Sequence, residues 1–578
     1  MNPHAASVPN NRIPPGRHRG QTPACAFMAL ALVALLCGCG ERRTPVETAN
    51  AQNRLILSLG AEPQDLDPHR TSGVPAHRVQ SALFEGLVVP HPDTLEPLPG
   101  VAERWELSAD RRTYTFHLRA NARWSNGQPV TAGDFAFSFR RILSPELGAQ
   151  YAKMLFPIEN ARAYNNGEIE NFGRVGVGVP DPHTLVIRLE NPTPHFLKML
   201  FHNSYLPVNR AAIAARGDPL SPGTYWTKPG QLVSNGPDTV EDWVVGDRMS
   251  VTRNPHYWNR ADIAIDGITF KVITDQNVEE RAFRAGQLHT TDSLLPAKID
   301  VYRERGDPAL VITPWLGTYY YLFNVTPMPA GTTGEPRAAL LDVRVRRALA
   351  LTVNREVITK AITRGGQETA HTFTPPGVNG YDAEPAFVHD PARARALLRD
   401  AGYPGGEGFP EIELLYNTSE LHRPIAEAVQ QMWKSQLGIN VRLNNVSWKE
   451  VLARRERGEF QLLRAGWIAD YPDPGNFLTN FLSYSGLNHS GWQHPRYDAL
   501  IEAAAAEPTL DGRFARLREA EAILLGDAPL IPVYHYTRIH LKRPELKGWP
   551  TNRLAQINYR FLYLDTGAAD ANREGGAP

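Results

Sequence analysis

The residues best placed to do chemistry lie in one run, Arg464-Ala-Gly-Trp-Ile-Ala-Asp470, followed by Tyr471 and by Pro472 and Pro474. A strand-like stretch delivers an acid to the point where the prolines turn the chain. Such an acid has two uses. It can cap the turn before Pro472, or, if enclosed, it can capture a cation through a charge-assisted hydrogen bond, roughly twice as strong as a neutral one. Common catalytic patterns are missing: there is no G-x-x-x-x-G-K-S/T loop, no H-E-x-x-H helix and no G-x-S-x-G elbow. Gly176-Val-Gly178 lacks a third glycine and reads as a loop, and the 18 histidines are scattered. The three cysteines, Cys25, Cys37 and Cys39, all fall at the start of the chain. A thiol nucleophile or a thiolate metal site in the body of the protein is therefore excluded.

The elements around that run read as mixed α and β. Alternating apolar residues predict strands over 54–59, 113–118, 184–189 and 412–416, and helical spacing appears over 343–352, 391–401, 424–437 and 513–525. The chain has 578 residues, enough for about three to four domain-sized units at roughly 150 residues each. Its 61 Lys and Arg balance 61 Asp and Glu, which argues against a nucleic-acid partner. The 11 Trp, 20 Tyr and 21 Phe supply burial that a disordered chain lacks.

The start of the chain is a different kind of segment. Arg12, Arg17 and Arg19 precede an apolar run over 26–36, which is too short for a membrane span of about 20 residues and fits a signal peptide. It ends Leu36-Cys37-Gly38-Cys39 and resembles a bacterial lipobox. Residues 1–38 are expected to be removed, and Cys39 to become a lipidated first residue. Residues 39–53 would form a polar tether, leaving an extracytoplasmic or periplasmic protein held to a membrane only by its lipid. The acidic, Gly-rich end, 567–578, is expected to be disordered.

A set of ordered motifs runs through the rest: Ala61-Glu-Pro-Gln-Asp-Leu-Asp-Pro-His69, Leu83-Phe-Glu-Gly-Leu87, Gly100-Val-Ala-Glu-Arg-Trp105, Trp124-Ser-Asn-Gly127, Asn254-Pro-His-Tyr-Trp-Asn259, Asp342-Val-Arg-Val-Arg-Arg-Ala-Leu349 and Ile531-Pro-Val-Tyr534. With the 464–470 run, they resemble the oligopeptide-binding proteins of ABC importers, in the peptide and nickel class of extracytoplasmic solute-binding proteins. The resemblance implies an α/β periplasmic-binding-protein fold, a Venus flytrap of two main lobes with an additional inserted lobe. A discontinuous lobe would combine 50–74, 210–316 and 537–566. An inserted lobe would span 75–209, and a third, 317–536, would close over the ligand. It further implies a monomer, not an enzyme, that needs no cofactor or metal. Its partners would be short peptides and ABC permease subunits.

Many different peptides share only a backbone and two charged ends. Strand addition reads the first, and charge capture the second. By resemblance, Asp470 would take the peptide ammonium. Gly466, Trp467, Ile468, Glu62, Asn417 and Asn488 would bond the peptide backbone. Tyr151, the run Tyr319, Tyr320 and Tyr321, Trp448 and Trp467 would wall side-chain pockets, with at least one of the three consecutive tyrosines pointing away. Arg464, Arg455 and His422 would meet the peptide carboxylate. Some relatives join the neighbourhoods of Gly317 and Ile468 by a disulfide; here packing must do so. Asp292-Ser293 replaces residues that tend to be Asn in relatives, and the extra acid suggests a preference for basic peptides. Binding of a nickel chelate or other small solute, or a sensor or chaperone role, is the alternative.

Overall fold

The computed structural model describes residues 43–71, 73–328 and 336–565; the expected signal peptide, Cys39 and the tail 567–578 lie outside them. Among the described residues, three larger sheets carry the fold. The first orders Arg54–Ser58, Gly267–Lys271, Arg248–Arg253 and Asp238–Val244, with one parallel and two antiparallel pairings. Alternation sends Leu55 and Leu57 into a core with Val251, Ile268 and Phe270. The second is antiparallel, in the order Ala102–Leu107, Thr113–Leu118, Thr184–Arg188 and Val177–Asp181. Helix Ala132–Leu143 starts with a Thr131/Asp134 capping box and lays Phe135, Phe139 and Ile142 on this sheet's core.

The third sheet has six strands in the order Glu368–Thr369, Leu530–Leu541, Leu310–Phe323, Leu462–Ile468, Ile412–Asn417 and Val441–Val446. Its core also takes residues from helices Val343–Thr352, Pro391–Asp400, His422–Leu437 and Leu510–Asp527. The expected strands and helices are all present, within a few residues at their ends.

Leu310–Phe323 and Leu530–Leu541 are long, and each serves two cores. Leu310, Ile312, Ile539 and Leu541 pack with the helices around Phe283 and Ile299, whereas Tyr319, Tyr321, Ile531 and Tyr534 belong to the six-stranded sheet's core. The ladder between the two strands is interrupted from Pro314 to Thr318.

Two expectations are corrected. Gly176-Val-Gly178 is not a loop: Val177–Asp181 pairs with Thr184–Arg188, and the Gly176 carbonyl accepts from the Arg188 amide. The polar tether ends earlier than expected, because Pro45–Ala51 is a helix with Val46 and Ala49 buried. The Val46 amide donates to the Gly286 carbonyl, and Asn50 bonds the His289 ring at 2.7 Å.

The Asp67-Pro-His69 motif has a structural job. Arg141 donates twice to Asp67, at 2.9 and 2.6 Å, and joins helix Ala132–Leu143 to the loop after the first strand. Burial would raise the Asp67 pKa, but Arg141 and the Trp226 indole outweigh it and hold the carboxyl below its usual range.

Candidate functional site

Asp470 follows directly on strand Leu462–Ile468. One edge of this strand is paired along its length with Leu310–Phe323, from Gly317 opposite Ile468 to Phe323 opposite Leu462. The other edge pairs with Ile412–Asn417 only at Leu462 and Leu463. Residues 464–468 therefore carry one strand edge that no other strand occupies among the described residues. Gly466 is exposed on this run. A Cβ there would lie 2.5 Å from the Tyr536 hydroxyl, so a larger residue would have to displace that side chain.

Two acids lie close together after the strand, and their surroundings separate them. Asp473 is buried and receives Arg513 at 2.8 and 2.6 Å. Asp470 forms no ion pair among the described residues. Burial pushes its carboxyl up to about 6, with Lys153 and Asn476 pulling the other way. The Asn476 side chain accepts from both the Asp470 amide, at 3.2 Å, and the Trp467 indole, at 2.9 Å. Trp467 thus positions the acid.

Asp470 faces a cavity of about 240 Å³, lined also by Tyr151, His77, His202, Trp315 and Arg538. Tyr151 reaches it from the segment after helix Ala132–Leu143, its ring tilted against His202 at 4.8 Å. Burial, then the Asp470 charge, pushes the Tyr151 hydroxyl up to about 12. Burial holds His77 and His202 down at about 4, so both are neutral at pH 7. A carboxylate in such surroundings can receive a cation from a ligand.

Arg464 lies on the same strand as Gly466. Its guanidinium stands 4.5 Å over the Tyr319 ring and donates to the Tyr536 hydroxyl at 2.7 Å. It has no carboxylate partner among the described residues, and its Nε is buried without an acceptor.

Other expected residues fall elsewhere. Glu62 is committed: Oε1 accepts from the Trp243 indole at 2.7 Å and Oε2 from the Gly246 amide at 2.6 Å. Asn488 closes its own turn, donating to the Trp492 carbonyl at 2.7 Å and accepting from Ser490 at 2.6 Å. His422 is held at about 3 by burial and by Arg464, so it is neutral in the ligand-free protein. Tyr320 and Tyr321 are core residues, packed on Phe373 and Trp433; only Tyr319 meets Arg464. Trp448 begins helix Trp448–Glu456 and is 52% exposed, away from the Asp470 cavity. Arg455 lies 3.1 Å from Glu456. Asn417 ends its strand with a buried, unpartnered Oδ1.

Asp292 is not a free acid either, since Arg78 pairs with it. Trp315, Arg538, His77 and His202 were not read from the sequence. Only Trp315, beside the tyrosine run on an aromatic strand, carried a local signal.

A family model described as bacterial extracellular solute-binding proteins, family 5 Middle, matches residues 96–489. The chain is 35% identical over 559 residues to the Escherichia coli periplasmic murein peptide-binding protein MppA, covering 95% of this chain and 99% of that one. It is 36% identical over 513 residues to the Escherichia coli periplasmic oligopeptide-binding protein OppA, covering 87% and 90%. The crystal structure of Haemophilus influenzae OppA in complex with RPPGFSPFR superposes with a TM-score of 0.77 at 33% identity, covering 89% of this chain and 99% of that one.

Proposed function

We propose, from the premise that the chain belongs to the bacterial extracellular solute-binding proteins of family 5 and has their multi-lobed α/β fold, that it captures short peptides outside the cytoplasm and delivers them to an ABC permease. One observation carries the reading. An unoccupied strand edge, 464–468, runs into Asp470, a carboxylate with no ion-pair partner among the described residues. A peptide laid along that edge gains main-chain hydrogen bonds whatever its sequence. Its ammonium then replaces the missing cation of Asp470.

Arg464 supports the other end of the same picture. A half-buried guanidinium with a buried, unpartnered Nε and no carboxylate partner among the described residues can take one from a ligand, and the peptide's terminal carboxylate is of the right charge. Closure would follow from ligand contacts made by both walls of the cavity. Tyr151 lies on one wall, on the segment 75–209 that we assign to the inserted lobe. Asp470 lies on the other, in 317–536. The discontinuous lobe, 50–74 with 210–316 and 537–566, would hold the third side. Lipid attachment at Cys39 belongs to the same proposal, and the mass of the mature N-terminal peptide tests it.

The direct test is mass spectrometry of the ligands that co-purify with the protein. Short peptides are the expected result. A non-peptide solute or a metal chelate recovered in stoichiometric amount would replace the reading.

A further inference from the structure

The cavity beside Asp470 has a second pole. Arg538, on strand Leu530–Leu541, lines it together with Arg78. Arg538 is 7% exposed. Its guanidinium has a single acceptor, the Ala555 carbonyl at 3.4 Å, and its Nε has none. Arg141 and Arg513 are as deeply buried, yet each is met by both oxygens of an aspartate. Arg538 has no such partner among the described residues. The neighbouring acid, Asp292, is already bonded to Arg78, so two guanidiniums share one carboxylate.

The surroundings deepen the imbalance. Both ring nitrogens of His540, two residues further along the strand, are buried and unpartnered, as are the Trp549 indole nitrogen and the Tyr559 hydroxyl. Arg538 and His540 lie 5.9 and 5.7 Å from the Trp549 ring. Guanidinium and indole N–H groups can only donate. The Arg538 Nε and the Trp549 indole are thus buried donors without acceptors, and leaving a buried cation so placed is costly unless an anion enters.

We propose that Arg538 is a specificity-determining residue that receives a side-chain carboxylate from near the amino end of the ligand, so that acidic-headed peptides are the preferred class. The inference rests on the peptide reading above, because a ligand whose ammonium sits at Asp470 places its first side chains in this same cavity. It also reverses the preference for basic peptides that Asp292 suggested from the sequence.

Calorimetric titration of the ligand-stripped protein with Glu-Ala-Ala, Gln-Ala-Ala, Ala-Glu-Ala, Ala-Gln-Ala and tri-alanine tests it. The acid should exceed its amide by about tenfold or more at one of the two positions, the scale of a charged hydrogen bond. In Arg538→Met that acid-to-amide ratio should fall toward one, while Arg538→Lys should retain part of it. Equal affinities for acid and amide in the unmodified protein overturn the inference and leave peptide binding standing, and this comparison decides the matter even if the Met variant misfolds. A ratio that survives Arg538→Met also overturns it. Failure of every tripeptide to bind overturns the peptide reading together with it.

Discussion

Gly317 stands directly opposite Ile468 in the antiparallel pairing of Leu310–Phe323 with Leu462–Ile468. The isoleucine side chain fills the space above the glycine, and a Cβ on Gly317 would also lie 2.6 Å from the Trp467 carbonyl oxygen. The two segments are thus held by ladder and packing rather than by a covalent link. Gly317→Val should force the strands apart and cost about 1–3 kcal/mol of stability, the usual range for overpacking. Urea unfolding measures it, and an unchanged midpoint would show that the strand tolerates the extra bulk.

Asp470→Asn keeps the shape of the side chain and removes the charge. Peptide affinity should fall by about 3–5 kcal/mol, as for one partner lost from an enclosed charged hydrogen bond. Titration with tri-alanine reads this. Retained affinity would move the ammonium site away from Asp470.

The raised Asp470 pKa gives binding a pH dependence with a defined sign. In the free protein burial holds the carboxyl at about 6, whereas a bound ammonium would favour the ionised form. Binding near pH 5.5 should therefore release a proton, and affinity should fall as the pH drops below about 6. Stability of the empty protein runs the other way: an acid raised on folding stabilises the fold most below its unfolded pKa, and that contribution is lost as pH rises through about 6. Calorimetry in two buffers of different ionisation enthalpy detects the proton. Its absence would mean that Asp470 does not change partner on binding.

Asp67→Asn tests the buried link to Arg141. It leaves a guanidinium buried without its counter-charge, and the expected loss is about 3–5 kcal/mol. The readout is chemical unfolding of the ligand-free protein. A loss below about 1 kcal/mol would be the size of an exposed pair and would contradict the buried geometry.

What could be read from the sequence was local. The strand leading to Asp470 and the helices over 343–352 and 391–401 carry their patterns in adjacent residues. The misplaced residues have partners far away in the chain: Glu62 is held by Trp243 and Gly246, and Asp292 by Arg78. Nothing near an acid in the sequence reveals that another segment has already satisfied it. Asn488 failed for the opposite reason, since it bonds within its own turn, where asparagine commonly does. The helix Pro45–Ala51 was hidden because its polar composition suits a leash, and only two small apolar side chains anchor it.

The interrupted ladder between Leu310–Phe323 and Leu530–Leu541 has a mechanical consequence. Between Pro314 and Thr318 the strand is released from Leu530–Leu541 but stays bonded to its other neighbours, with the Ala469 amide donating to the Leu316 carbonyl and the Leu316 amide to the Arg553 carbonyl, so a swivel there would break no rung between the two long strands. Bending at that point would leave the ladders on either side of it intact, so the two cores that these strands join can tilt as separate blocks.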